Sequence, residues 1–503
     1  MDTHAIPMEW YFFGSAALII LGILASKISS RVNTPVLLMF LAVGMLAGTD
    51  GIARLSFIDW GGISFTNYRI ANFFGSVALC YILFSGGLGT NWQSIKRCTV
   101  TGGILASLGV LLTALVVALA GMAFFDLQFE YAMLLGAIIS STDAAAVFAV
   151  LRSRGVSLKG QLKPLLELES GSNDPMAAFM TIFMIGMIGN PGDSYWTVLT
   201  SFLTRMSLGI AFGLAIGYAA ARIFDRVGLE YDGLYLVLGI GLVLFCYGIC
   251  EIAGGNGFMA VYVCGLMMGN RKFLYKNGFI HFNDGISWLM QVTMFLMLGL
   301  LVNPRELPGI AVEGLVLSVV LMLVARPVAV YLCMLGSRYT WRERTFVSWV
   351  GLRGAAPIVL ATFPAIYGVP NAHEYFTVVF FIVITSVLIQ GSTLMPVAKL
   401  LKLDKPFVVR RRSPLQFEQT NTIAGEMIEY EIEAGTAAEN CLIRDLHLPK
   451  ETRIFLIRRG DGFVVPEGNT RILGGDGLMF LAEPRQFDAA RRILSHRKEE
   501  EPS

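Results

Sequence analysis

Between residues 8 and 400 the chain passes through one apolar stretch after another, most of them about 17–25 residues long and so able, as helices, to cross a hydrocarbon layer about 30 Å thick. Lipid offers no partner to a peptide N–H or C=O, so a chain of this kind is confined to a bundle of spanning helices. Thirteen stretches can be placed, at 10–26, 35–48, 70–88, 100–124, 131–151, 164–189, 197–221, 232–253, 257–269, 286–302, 310–336, 346–367 and 375–398, the second and ninth being short. The first is preceded by Asp2 and Glu9 and by no Lys or Arg, so it lacks the basic start of a signal peptide and reads as a retained helix. Only 15% of the residues are charged, where a soluble chain is nearer a quarter.

The basic residues test the count. Connections after odd-numbered stretches carry Lys27, Arg31, Lys96, Arg97, Arg152, Arg154, Lys159, Lys163, Arg222, Arg226, Arg271, Lys272, Lys276, Arg338, Arg342 and Arg344; the others carry Arg54, Arg69 and Arg305. Cytoplasmic loops collect Lys and Arg, so this alternation places the N-terminus outside and the C-terminus in the cytoplasm, in a bacterial-type inner membrane. A net charge of +2 gives no reason to expect nucleic acid as a partner. Seven cysteines and five histidines are scattered without metal-ligand spacing, so neither a disulfide framework nor a structural zinc is expected, and no cofactor.

Ionisable groups at bilayer depth are costly and mark ion paths or buried pairs. Three runs hold most of them: Ser140-Ser141-Thr142-Asp143 in the fifth stretch, Glu167-Leu168-Glu169-Ser170-Gly171-Ser172-Asn173-Asp174-Pro175 in the sixth, and Gly351-Leu352-Arg353-Gly354-Ala355-Ala356-Pro357 in the twelfth. At about 1.5 Å per residue, Asp143 lies about 18 Å from the outer end of its span, Asp174 about 15 Å and Arg353 about 12 Å from the cytoplasmic ends of theirs. All three approach the midplane, and adjacent antiparallel helices can bring Asp143 and Asp174 to one level. Ser170 with Asp174, and Glu169 with Asn173, are four residues apart and form two neighbouring polar stripes. Small hydroxyl residues before Asp143, and glycines around Arg353, permit breaks that expose backbone carbonyls. Two carboxyl groups beside hydroxyls and an amide make an oxygen-rich site for a hard cation. For Arg353 with Glu169, a structural ion pair and a transport role both stand. Arg326, before Pro327, reads as a packing or lipid-facing residue near the end of its span.

With these motifs in place the chain resembles the monovalent cation:proton antiporter-1 family, of the NhaP type, over about residues 8–400. The resemblance implies a polytopic all-α membrane fold of about 13 helices, an inverted repeat with discontinuous fifth and twelfth helices, and a homodimer. It implies that Asp174 is the main ion- and proton-binding carboxylate. Asp143, Thr142 and Ser170 would be further cation ligands, Asn173 would hold Asp143, and Glu169 would pair with Arg353. Asn173 stands where electrogenic relatives carry a second Asp, which implies one cation exchanged for one proton. At the midplane a carboxylate is neutralised either by a proton or by a metal cation, and that competition is the coupling.

The last 103 residues hold 16 basic and 17 acidic side chains and form a second, polar body. The expected division is a transmembrane domain at 1–400, a linker at 401–420 that includes Arg410-Arg411-Arg412-Ser413-Pro414, and a small α/β cytoplasmic domain at 421–503. Within it, strands are expected near 428–432, 453–458, 463–465 and 478–482, a short helix at 439–446, and a last helix at 484–494. The segments Ile457-Arg458-Arg459-Gly460-Asp461-Gly462 and Gly474-Gly475-Asp476-Gly477 resemble the C-terminal lobe of RCK (TrkA-C) regulatory domains. No Gly-x-Gly-x-x-Gly follows a strand, so NAD is not expected; a small-molecule effector at a dimer of such lobes is compatible with the pattern. Such a lobe on this kind of antiporter implies the potassium/proton subgroup. The expected function is therefore exchange of K⁺, with Na⁺ or Rb⁺ as further cations, for H⁺. A Na⁺/H⁺ exchanger of the same fold is the alternative, and a regulated cation channel is a distant one that lacks a Thr-Val-Gly-Tyr-Gly filter. No Ser/His pairing or metal cluster at depth suggests an enzyme.

Overall fold

The computed structural model describes residues 8–32, 35–48, 65, 67–189 and 195–406, and in the tail 426–432, 436, 438–449, 452–460, 462–482, 487, 490 and 493–495. Residues 407–420 of the expected linker, with the Arg410–Arg412 run, Arg54, and most of the expected last helix lie outside these residues, whereas 404–406, expected as linker, form a strand of the first unit. The chain divides into two compact units, one of residues 1–272 and 279–408, the other of 273–278 and 409–503.

In the first unit we label the main helices α1 (Met8–Val32), α2 (Val36–Ala47), α3 (Tyr68–Gly89), α4 (Thr99–Phe125), α5 (Phe129–Ile139), α6 (Ala144–Ser153), α7 (Leu162–Gly189), α8 (Tyr195–Arg226), α9 (Asp232–Ile252), α10 (Gly257–Gly269), α11 (Lys276–Leu300), α12 (Leu307–Cys333), α13 (Trp341–Trp349), α14 (Ala355–Leu360) and α15 (Ala372–Leu400). Every expected apolar stretch falls on helix, whole or broken. Among the described residues, seven segments are long and apolar enough to cross a membrane, at 68–89, 99–125, 129–152, 199–226, 232–252, 307–333 and 372–400, and four more apolar helices are shorter. Large apolar side chains such as Phe12, Phe73, Phe124, Trp196 and Leu323 face outward, as they must where the solvent is lipid.

Two three-part units recur. A long helix with one wide π turn (Leu105–Gly109 in α4, Leu321–Ala325 in α12) precedes a broken helix (α5/α6, α13/α14). A long helix with an internal proline follows, Pro175 in α7 and Pro396 in α15. Seven of the placed stretches separate the starts of the two units, so they enter the membrane from opposite faces. This is the expected inverted repeat.

Outside the repeat the helices approach closely through glycine. Gly209, Gly213 and Gly217 on α8 sit at four-residue spacing against the backbone carbonyls of Asn256, Ala260 and Cys264, the latter two on α10, where a Cβ would come within 2.5–2.9 Å of oxygen. A two-stranded ribbon pairs β1 (Val156–Leu158) with β2 (Asp404–Pro406), Ser157 opposite Lys405. Lys159 extends it, its backbone N–H bonded to the carbonyl of Leu403 (3.0 Å) and its Nζ to that of Lys402 (3.0 Å).

The second unit is a four-stranded antiparallel sheet of β3 (Glu426–Glu431), β4 (Arg453–Arg459), β5 (Gly462–Val464) and β6 (Gly477–Ala482), in the order β3-β6-β4-β5. Its core gathers Ile432, Ala438, Leu446, Ile457, Ile472, Leu478, Phe480 and Leu494. The four expected strands form. The helix expected at 439–446 is reduced to a single 3₁₀ turn, Ile443–Leu446, because Asn440 and Leu442 are drawn into pairing with Ile472 and Arg471. Asp476, almost fully buried, accepts from both Arg459 Nε (3.0 Å) and Nη2 (2.8 Å) and from the Leu473 N–H (2.8 Å), which closes the Gly474–Gly477 turn and raises the proton affinity of Arg459.

Candidate functional site

The fifth and twelfth stretches break where expected, at residues 140–143 between α5 and α6 and at 350–354 between α13 and α14. A broken helix leaves carbonyls without partners at the end of its first half and N–H groups at the start of its second. At the end of α5, Arg353 supplies the donors: its Nη1 bonds to the carbonyls of Ser140 (2.8 Å) and Ser141 (2.6 Å). At the start of α6, Asp143 caps the helix, one carboxylate oxygen accepting from the Ala146 N–H (3.0 Å). The breaks are locked to each other by the Asp143 N–H, which donates to the carbonyl of Leu352 (2.8 Å). Gly354 is obligatory here, since a Cβ would collide with the Asp143 carboxylate.

The long helix α7 completes the centre. The Ser170 hydroxyl donates to the Thr142 carbonyl (3.0 Å) and accepts from the Ala144 N–H (3.1 Å), and Asn173 Nδ2 donates to the Thr142 hydroxyl (2.7 Å). One turn beyond Ser170, Asp174 lies beside Ser141 and Asp143. Both aspartates are only partly buried, and with Thr142 and Ser170 they line one cavity of about 520 Å³. The cavity also reaches Pro35, Thr90, Arg152, Arg154 and Met395, so it opens toward the end of the bundle that carries the Lys- and Arg-rich connections. Among the described residues no group of three or more His, Cys, Asp or Glu side chains is arranged as a metal centre. Two carboxylates and neighbouring hydroxyls give the cavity the oxygen donors that hard cations take.

Two expected partnerships are corrected. Glu169, 1% exposed, meets Arg326 rather than Arg353, its Oε1 lying 2.5 Å from Arg326 Nη2. Arg326 is accordingly neither lipid-facing nor at a span end but 3% exposed, directly after the wide turn of α12. Arg353 is spent on the carbonyls of the broken helix. Likewise Asn173 holds the hydroxyl of Thr142, not Asp143, whose carboxylate is oriented by its own helix start.

Broken helices whose free ends meet beside acidic groups, at the base of a cavity open to one face, are the architecture of a secondary ion transporter. The chain belongs to the sodium/hydrogen exchanger family: the model of that family's transmembrane domain matches residues 15–400, and a TrkA-C domain matches residues 427–495. It is 36% identical, over 99% of its length and 85% of the relative's, to a K⁺/H⁺ antiporter NhaP2 of Shewanella baltica. It is 36% identical to a K⁺/H⁺ antiporter NhaP of Alkalimonas amylolytica (93% and 80%). A Na⁺/H⁺ antiporter, ApNhaP of Aphanothece halophytica, is 28% identical over 68% of each chain. Among solved structures, the sodium proton antiporter MjNhaP1 of Methanocaldococcus jannaschii superposes with a TM-score of 0.66 at 22% identity, covering 77% of this chain and all of that one.

Proposed function

We propose that the protein exchanges K⁺ for H⁺ across a bacterial-type inner membrane, with Asp174 as the carboxylate that takes either the proton or the cation. The observation that carries this reading is the placement of Asp143 and Asp174 on one cavity wall at the junction of the two breaks. Asp143, Thr142 and Ser170 contribute the other oxygens. Two neighbouring carboxylates repel when both are ionised, so a proton or a monovalent cation is favoured at the pair. If the repeat moves only when that charge is neutralised, the empty site cannot leak and exchange is obligatory. Asn173, an amide occupied with Thr142, adds no third titrating group, in keeping with one cation for one proton. Arg353 and the Glu169–Arg326 pair hold the break rather than the ion. The potassium preference rests on the names of the full-length relatives and on the TrkA-C unit, to which we assign regulation in the cytoplasm, within a homodimer; no resident cofactor takes part.

The test is salt-by-salt. Inverted vesicles carrying the full chain collapse a pH gradient on addition of KCl, less on addition of NaCl, and Asp174→Asn abolishes both responses. Robust exchange with Asn at 174 refutes the site, whereas a larger response to Na⁺ than to K⁺ keeps the site and makes the protein a Na⁺/H⁺ exchanger.

A further inference from the structure

Tyr262 on α10 is 3% exposed and lines the cavity, yet its hydroxyl has no hydrogen-bond partner among the described residues. A buried polar group left unpaired destabilises the fold, and a phenyl ring in its place would relieve that cost. The ring itself is closely seated. It fills a notch at Gly171, where any Cβ would collide with it, between Ser170 and Asp174 on the turn that carries the ion ligands. Its hydroxyl is close enough to two further oxygen-bearing side chains to interact with them, Glu167 of α7 and Thr90 at the end of α3, and all three residues line the cavity. The Thr90 hydroxyl gives its proton to the carbonyl of Gly86 (2.7 Å) and so turns lone pairs outward. Glu167 faces Lys163 at 3.6 Å on its solvent side. Seven residues, or about 10 Å, separate it from Asp174 along one helix face.

We propose that Glu167, Tyr262 and Thr90 form a second, transient station for the transported monovalent cation, on the mouth side of the aspartates. One carboxylate, one phenol and one hydroxyl from three helices supply the oxygens that replace part of the hydration shell before the ion reaches Asp174. Apart from the Thr90 hydroxyl beside it, the phenol oxygen has no protein group to satisfy it, which leaves it open to a passing cation or to water standing in for one. This station rests on the antiport reading and specifies where along the path affinity is set.

The experiment measures KM and Vmax for K⁺ in inverted vesicles for the wild type, Tyr262→Phe and Glu167→Gln, with thermal unfolding of the purified full chain in detergent. Tyr262→Phe is expected to raise KM about three- to tenfold, with the larger share of the effect in KM rather than Vmax, while its unfolding temperature does not fall. Glu167→Gln moves KM in the same direction, and the double variant rises by less than the product of the two, because both act on one bound ion. An unchanged KM in Tyr262→Phe, or a loss confined to Vmax, overturns the station; if that variant does not accumulate, an unchanged KM in Glu167→Gln does so. Failure here is distinct from failure of the antiport reading, which would appear as a wild type without cation-dependent exchange.

Discussion

Among the described residues of the first unit, buried charge sits on three side chains whose partners are not interchangeable. Arg353 donates to backbone carbonyls, while Glu169 and Arg326 neutralise each other, all three at 1–3% exposure. Arg326→Met leaves the Glu169 charge stranded and is expected to cost about 3–5 kcal/mol, whereas the double change to Met at 169 and 326 recovers most of that loss. Thermal unfolding in detergent of the two single variants and the double one measures it; singles no worse than the double would show that the pair is not a unit. The sequence marked Glu169 and Arg353 as groups needing partners, because ionisable residues stand out in an apolar run. The partners it suggested, Arg353 for Glu169 and Asp143 for Asn173, are not the ones that form. Arg326 follows a π turn, whose extra residue rotates everything after it around the helix, and no composition signal announces such a turn. Asn173 went to Thr142 rather than Asp143 for a related reason, since the break decides which of several adjacent polar groups points at α7.

Among the helices, those of the repeat move past their neighbours in the proposed cycle, while α8 and α10 are held backbone to backbone. At Gly213 an added Cβ meets the Ala260 carbonyl and the Val263 side chain, so neither neighbour can yield cheaply. Gly213→Val is expected to force α8 and α10 apart and to cut the amount of folded protein in membranes at least severalfold, with lowered thermal stability. Gly241→Val, on α9 with open space where its Cβ would lie, serves as the control and leaves folded protein near wild-type levels. Fluorescence-detected size-exclusion profiles compare them; equal profiles would mean that the close approach is not needed. Helix positions and both breaks were legible from hydropathy and from the polar runs, because spanning lipid imposes length and continuity. The three-glycine stripe and the wide turns were not, since what they serve is a neighbour's backbone.

For the molecule as a whole, the polar tail was legible as a separate body from its charge, and its strands from Gly-rich turns and alternation. The regulation proposed for it would act through the join. Ending the chain after Pro406 retains β2 and is expected to preserve exchange while altering its dependence on pH. Ending it after Leu403 removes β2 from its pairing with β1 and is expected to lower the maximal rate as well. Vesicle assays of the two truncations across pH test this, and identical behaviour would deny the ribbon any part.

That ribbon has a mechanical meaning. Strand β1 follows α6 almost at once, and α6 begins at Asp143, so the first residues beyond the last helix are laced to a rod only ten residues long whose far end is the acidic pair. Tension applied at Pro406 would therefore be delivered along a stiff lever to the heart of the exchanger, with only the two-residue Arg154–Gly155 turn in between.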